Sequence, residues 1–289
     1  MKWRGRRASR NISDRRRSGG RGAGRTVVAG GGIGAVVVVL AGLVFGFDPS
    51  FILNSGLLDG GPVQQTSAPS GPNRIDDETE EFVAVVLADT EEVWTDLFQR
   101  AGASYPRPTL VLFSGVVGSA CGQASSAVGP FYCPGDEQIY IDLDFFDVMD
   151  RELGARGDFA KAYVIAHEVA HHVQNVQGIL PEVNAQRQRV SETDANRLTV
   201  RLELQADCYS GIWANRAEQM FDTLEPGDIA EAMNAAEAIG DDALQRRAQG
   251  YVVPDSFTHG TSEQRMRWFD RGYRTGSVSD CDTFAETEL

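Results

Sequence analysis

Three residues at fixed spacing carry the chemistry this chain can do. His167, Glu168 and His171 stand as His-Glu-Val-Ala-His within residues 162–174, AYVIAHEVAHHVQ. On a helix, residues four apart share a face, so both imidazoles reach one cation. Glu168 lies about 100° round the axis, able to touch a water on that cation without ligating it. This is the HExxH spacing of zinc hydrolases. Between Tyr163 and Val173 the other side chains, His172 excepted, are nearly all apolar, which marks a buried helix. Unpaired imidazoles and a carboxylate are costly there, and a metal ion compensates them. The plain alternative is a pair of core histidines held by backbone or carboxylate partners.

A hydrolytic zinc takes three protein ligands and leaves one position for water. Glu203 and Asp207, in ELQAD, fall four apart on one helical face beside an apolar stripe. Thr199, Ser210 and Ala214 share that face, small enough to admit another helix. Glu203 is expected as the third ligand, with Asp207 holding a ligand histidine through its other ring nitrogen. An ordinary solvated acidic pair, bridged to Arg197 or Arg201, is the competing reading. Three residues after His171 comes Gln174 rather than Gly, and no third histidine follows at metzincin spacing. His259, in a Thr-His-Gly turn, leads Tyr251, Tyr209 and Tyr273 as a second electrophile, against the reading of a loop histidine capping the next helix. His172 faces away from the ligand pair and is expected to be structural.

These groups need elements to position them. Residues 76–100 place Val83, Val86, Leu87, Val93, Trp94, Leu97 and Phe98 at amphipathic helical spacing. TLVLF at 109–113 reads as a strand. Residues 137–143 alternate as a half-buried strand whose edge offers main-chain hydrogen bonds to an extended substrate. Asp158 is the expected N-cap of the HExxH helix, and Gly178 with Pro181 ends it. Ser191-Glu192-Thr193-Asp194 resembles a capping box opening a helix to about residue 220. Residues 228–249 read as one further helix and 261–271 as a short last one.

The 289 residues carry a net charge of -14 that is sharply divided. Residues 1–25 hold ten Lys/Arg and one Asp, while the rest holds 17 basic and 40 acidic residues. Between the two, residues 26–47 run twenty-two positions without a charge, long enough to span a bilayer. The basic flank predicts a cytoplasmic N-terminus and an extracytoplasmic C-terminal domain. A cleaved signal peptide fits less well, for no A-x-A-like site follows. Arg15-Arg16-Arg17 reads as a flank touching anionic lipid, not nucleic acid. Residues 48–75, rich in Gly, Pro, Ser and Gln, read as a flexible linker, and residues 76–289 as the folded domain. Four cysteines, Cys121, Cys133, Cys208 and Cys281, suggest two disulfides in such a domain. Three pairings are open; Cys121 with Cys133 closes a short loop and leaves Cys208 with Cys281.

The motifs together resemble the bacterial neutral zinc metallopeptidases, single-pass membrane proteins grouped with zincin-fold peptidases. The likeness runs through MKWRGRR at 1–7, CGQASSAVGPFYCPGDEQIYIDLDFF at 121–146, AYVIAHEVAHHVQN at 162–175 and RLELQADCYSGIWA at 201–214. It continues in FTHGTSEQRMRWFDRGYRTG at 257–276 and CDTF at 281–284. The resemblance implies an α+β domain, mainly helical and zincin-like with a small β-sheet, preceded by one transmembrane helix. It implies one Zn2+ on His167, His171 and Glu203, with Asp207 behind them.

The expected activity is hydrolysis of a peptide or protein substrate, with Glu168 as general base to a zinc-activated water. The alternatives are a membrane-anchored binding or scaffold protein with a structural zinc and no turnover, and a hydrolase of non-peptide bonds. A structural site has four protein ligands, whereas three strong candidates stand here.

Overall fold

The computed structural model describes residues 1–16, 75, 77–125 and 129–289. Its sheet has four strands in the order β1 (Ile12–Asp14), β2 (Thr109–Phe113), β6 (Gln138–Asp142) and β5 (Phe131–Cys133). β1 is parallel to β2 and β2 to β6, while β5 runs antiparallel to β6. A separate antiparallel hairpin joins β3 (Val116–Ser119) to β4 (Gly122–Ser125). The helices are α1 (Glu78–Arg100), α2 (Asp144–Val148), α3 (Asp158–Val176), α4 (Ile179–Arg187), α5 (Glu192–Phe221), α6 (Asp228–Ala238), α7 (Asp241–Gln249) and α8 (Ser262–Thr275). The described part is therefore mainly helical with a small sheet.

Alternation along the strands decides which face meets which partner. Leu110, Leu112, Ile139, Ile141 and Tyr132 join the main core with α1, α3 and α5. Val111, Phe113, Tyr140 and Cys133 pack on Val117 and Ala124 of the hairpin. That cover corrects the half-buried reading of 137–143, because Ile139 to Asp142 are buried on both faces. Nor is β6 an edge: β2 and β5 occupy its two sides, and β5 borders the sheet there.

The basic N-terminus is the larger correction. Expected as a separate segment over 1–25, it is built into the domain through residue 16. β1 pairs with β2 from Ile12↔Leu110 to Asp14↔Leu112, and Met1, Trp3 and Ile12 are core residues. α1 carries three buried carboxylates, Glu80, Asp89 and Glu91, which the N-terminal residues satisfy. Arg6 makes a bidentate pair with Asp89 at 2.8 Å for both bonds, Arg16 donates to Glu80 at 3.0 Å, and Asn11 donates to Glu91 at 2.7 Å. The Met1 ammonium sits 2.7 Å from Asp158 and 3.1 Å from Glu225. A helix read as amphipathic is thus covered on both sides along Phe82–Glu91.

No described helix is long and apolar enough to cross a membrane; the span expected at 26–47 and the linker up to residue 74 lie outside the described residues. Two helix boundaries also differ from expectation. Gly157 rather than Asp158 is the N-cap of α3, since Asp158 is engaged by Met1. The helix expected over 228–249 is two, broken at Ile239–Gly240. A Cβ on Gly240 would stand 2.4 Å from the Ser262 nitrogen, so the break lets the chain before α8 dock. The disulfides are Cys121–Cys133, tying the hairpin to β5, and Cys208–Cys281, tying α5 to the C-terminal segment.

Candidate metal centre

Two helices meet at the site. α3 brings His167, Glu168 and His171; α5 brings Glu203 and, one turn on, Asp207. Ser191 caps α5 by accepting from the Asp194 N–H at 3.2 Å, which fixes where its long run begins. α8 crosses α5 at very short range: a Cβ on Gly272 would fall 1.9 Å from the Cys208 carbonyl oxygen, and one on Gly211 2.1 Å from that of Phe269. Only glycine allows this approach, which carries Arg265 of α8 to Asp207.

Each ligand-type histidine has one ring nitrogen already engaged. His167 Nδ1 lies 2.9 Å from Asp207 Oδ1, and His171 Nδ1 lies 2.9 Å from Gln174 Oε1. A carboxylate and an amide oxygen both accept, so both Nδ1 atoms carry the proton and both Nε2 atoms are left for a metal. His167 Nε2 is 3.0 Å from Glu203 Oε2 and His171 Nε2 is 3.4 Å from Glu203 Oε1. The donor atoms of the three residues lie within 4.8 Å of one another. Once the His167 Nε2 proton is given up, two neutral imidazoles and a carboxylate at this spacing fit zinc. The four cysteines are in disulfides and cannot add a thiolate.

Behind His167 stands a closed network. Asp207, wholly buried, accepts two hydrogen bonds from Arg265, at 2.8 and 2.9 Å, and one from the Tyr163 hydroxyl. Arg265 is itself 2 % exposed, and a second bond ties it to Tyr163 at 3.2 Å. Behind His171 the partners are neutral: Gln174 donates to the Leu202 carbonyl at 2.7 Å and to Gln205 at 3.0 Å.

The charges follow from these partners. Burial opposes a charge on Asp207, but Arg265 and His167 outweigh it and hold its carboxyl at about 2. Burial likewise opposes a charge on His167, yet its bonds to Asp207 and Glu203 raise it to about 10. Glu203 is held well below the ordinary carboxylate range against its burial, chiefly by His171 and His259. Burial pushes Glu168 up, against the pull of His171 and His167. Among the described residues Glu168 makes no side-chain hydrogen bond, alone in that respect among the groups of the site.

His259 belongs to this neighbourhood. Its loop abuts α5, a Cβ on Gly260 being 3.2 Å from Leu204 and 3.3 Å from Val200, and it interacts electrostatically with both Glu203 and Glu168. It does not cap α8; Thr261 does, in a capping box with Gln264. Of the tyrosines weighed beside it, Tyr209 donates to Gln177 at 2.9 Å, and Tyr251 is 60 % exposed. His172 points to the sheet, donating from Nε2 to the Pro106 carbonyl at 2.7 Å and accepting from Tyr132 at 3.1 Å. It ties β5 to α3, the structural role expected of it.

Sequence reasoning did not single out Tyr163, Arg265, Gln174 or Asp241 for the site. Gln174 offered a signal, a polar residue one turn from His171 on an apolar helix. Arg265, with a buried guanidinium, offered none in its SEQRMR setting.

Comparison with known proteins places the chain among relatives. A family profile described as "Putative neutral zinc metallopeptidase" matches residues 1–284. The uncharacterized protein YpfJ of Escherichia coli (strain K12) is 47 % identical over 292 residues, covering 99 % of this chain and 100 % of that protein. The uncharacterized protein Rv2575 of Mycobacterium tuberculosis (strain ATCC 25618 / H37Rv) is 38 % identical over 264 residues, 86 % of each. No solved structure matches the chain.

Proposed function

Because the chain belongs to this family of zinc metallopeptidases, we propose that it is a zinc-dependent peptidase with Glu168 as general base. The observation that carries the reading is the contrast within one pocket. His167, His171 and Glu203 have their metal-binding atoms turned together by fixed partners, while the Glu168 carboxylate beside them is untethered. Zinc held there supplies Lewis acidity, polarising a carbonyl and bringing the pKa of a water to roughly 7. Glu168 takes a proton from the attacking water and delivers it to the departing amine nitrogen, and its burial favours holding that proton between the two steps. His259 donates from Nε2 to the oxygen on which negative charge develops.

An extended substrate would add to β5, the bordering strand, which Tyr132 and His172 hold against α3. A small sheet whose antiparallel border strand lies by the HExxH helix also supports a zincin-like architecture. A scaffold role with structural zinc is less well supported, since among the described residues the ligand-type group here is His167, His171 and Glu203 alone, with His172 turned away and the cysteines oxidised.

Glu168→Gln should keep zinc and lose turnover by a factor of about 10² or more, the usual scale of general-base catalysis. The assay is peptide-library cleavage with zinc content measured in parallel. Cleavage by the variant at the wild-type rate removes Glu168 as the base; no zinc-dependent cleavage by the wild-type protein removes the peptidase reading.

For location, the same reading puts a bilayer contact at residues 26–47 and keeps the peptide substrate, not nucleic acid, as partner. It differs from the sequence expectation in topology. A strand of the sheet cannot lie across a bilayer from the sheet, so β1 and the metal centre share a side; the two disulfides favour an oxidising one. A cysteine at exposed Arg4 and one at Arg100 should be labelled alike by an impermeant maleimide on intact cells. Labelling of only one of them contradicts the placement.

A further inference from the structure

Asp241, the first residue of α7, is buried to 2 % and is not needed to hold a metal or to cap α8. Its carboxylate faces the loop that bears His259. Oδ2 accepts three consecutive backbone N–H groups, from Thr258 at 2.7 Å, His259 at 2.6 Å and Gly260 at 3.0 Å. The Asp241 N–H in turn donates to the Gly260 carbonyl at 2.9 Å. The other oxygen, Oδ1, stands 3.4 Å from His259 Nδ1, which also lies 3.0 Å from Thr258 Oγ1. One oxygen therefore fixes the loop, and the other stands beside a ring nitrogen that Thr258 also engages.

We propose that Asp241 is a positioning residue for His259, keeping the proton on Nδ1 and aiming Nε2 at the metal pocket. The proposal rests on the peptidase reading for its consequence, and on geometry alone for the ring orientation. A carboxylate beside Nδ1–H fixes the tautomer and supports the doubly protonated ring, in which Nε2–H is the donor. Nε2 lies on the ring edge opposite Asp241, and the loop itself abuts α5 beside Glu203 through Gly260 and Leu204. Asp242 and the Glu237 carbonyl dock the neighbouring Ser262; Asp241 alone of these also stands beside the ring.

Asp241→Asn separates the two roles, because the remaining carbonyl oxygen still accepts from the loop while the amide –NH2 cannot accept from Nδ1. The direct readout is the ring ¹⁵N spectrum of the zinc-loaded protein, simple to assign with four histidines in the chain. Wild-type His259 should show both ring nitrogens protonated, and Asp241→Asn should leave the ring with a single proton. In cleavage of a quenched fluorescent peptide library, the same substitution should lower kcat about tenfold with KM within about twofold and zinc content unchanged. Combined with His259→Ala it should add no further loss, since the two act through one group. An unprotonated Nδ1 in the wild-type protein, a measurement that needs no variant to fold, overturns the proposal. So do losses that multiply in the double variant. If the zinc-loaded wild-type protein cleaves no peptide while the Nδ1 result holds, the peptidase reading fails and the positioning stands; the reverse pattern removes Asp241 alone.

Discussion

The wall behind His167 and the contact between the N-terminal residues and α1 use the same physical device for different ends. Each buries carboxylates and satisfies them with arginine. At the metal centre, both partners are inside: Asp207 and Arg265 are 0 % and 2 % exposed, and Tyr163 closes the network. At α1 the carboxylates Glu80, Asp89 and Glu91 are inside, but Arg7 stays at the surface with 47 % of its side chain exposed and Arg6 keeps 20 %. The first arrangement holds one imidazole at one angle. The second spreads over Arg6, Arg16, Ser9 and Asn11 and fastens a segment distant in sequence to a helix. Depth and closure distinguish a device that sets a ligand from one that completes a fold.

Removing residues 1–16 tests this most severely. It strips partners from three buried carboxylates at once, and breaking one buried pair costs about 3–5 kcal/mol against a total stability of about 5–15 kcal/mol. The truncated protein should show no cooperative melting transition by circular dichroism. A wild-type-like transition would mean that the N-terminal contact is an accessory.

Arg265→Met should act next in size. Asp207 would lose both guanidinium bonds in a dry site, a loss of about 3–5 kcal/mol read as a lower melting temperature. Zinc affinity should fall about 10- to 100-fold as His167 loses its anchored partner. Equal destabilisation with unchanged zinc affinity would make the network a folding element only, erasing the difference drawn here.

A smaller effect separates the regions by pH. His167 has its pKa raised to about 10 by Asp207 and Glu203, despite burial. Without metal, the stability this group contributes is full below its unfolded value of about 6.5 and is lost as pH rises through about 10. Zinc requires the unprotonated Nε2, so uptake at pH 7 should release about one proton, and affinity should climb with pH up to about 10. Calorimetry in buffers of different ionisation enthalpy counts that proton; release of none contradicts the raised value.

How much of this the sequence carried depends on whether a signal is local. HExxH and ELQAD were legible because helical spacing alone puts their side chains on one face, and Ser191 announced the start of α5 by its position. Arg265 was not, because its value arises from a crossing of α5 and α8 that Gly211 and Gly272 permit. The N-terminal arginines were misread for a related reason. A basic run looks the same whether it faces lipid phosphate or carboxylates buried on a helix sixty or more residues away. The strand at 137–143 read as half buried because nothing in its alternation reveals the hairpin that covers its second face. Residues 228–249 read as one helix because nothing local reveals Ser262 standing against Gly240.

Anomalous diffraction at the zinc edge from zinc-grown crystals tests the central claim most directly. The account predicts one peak within about 2.0–2.2 Å of His167 Nε2, His171 Nε2 and a Glu203 oxygen, with Glu168 beside it and unligated. A peak bound through Glu168, or none among these residues, contradicts it.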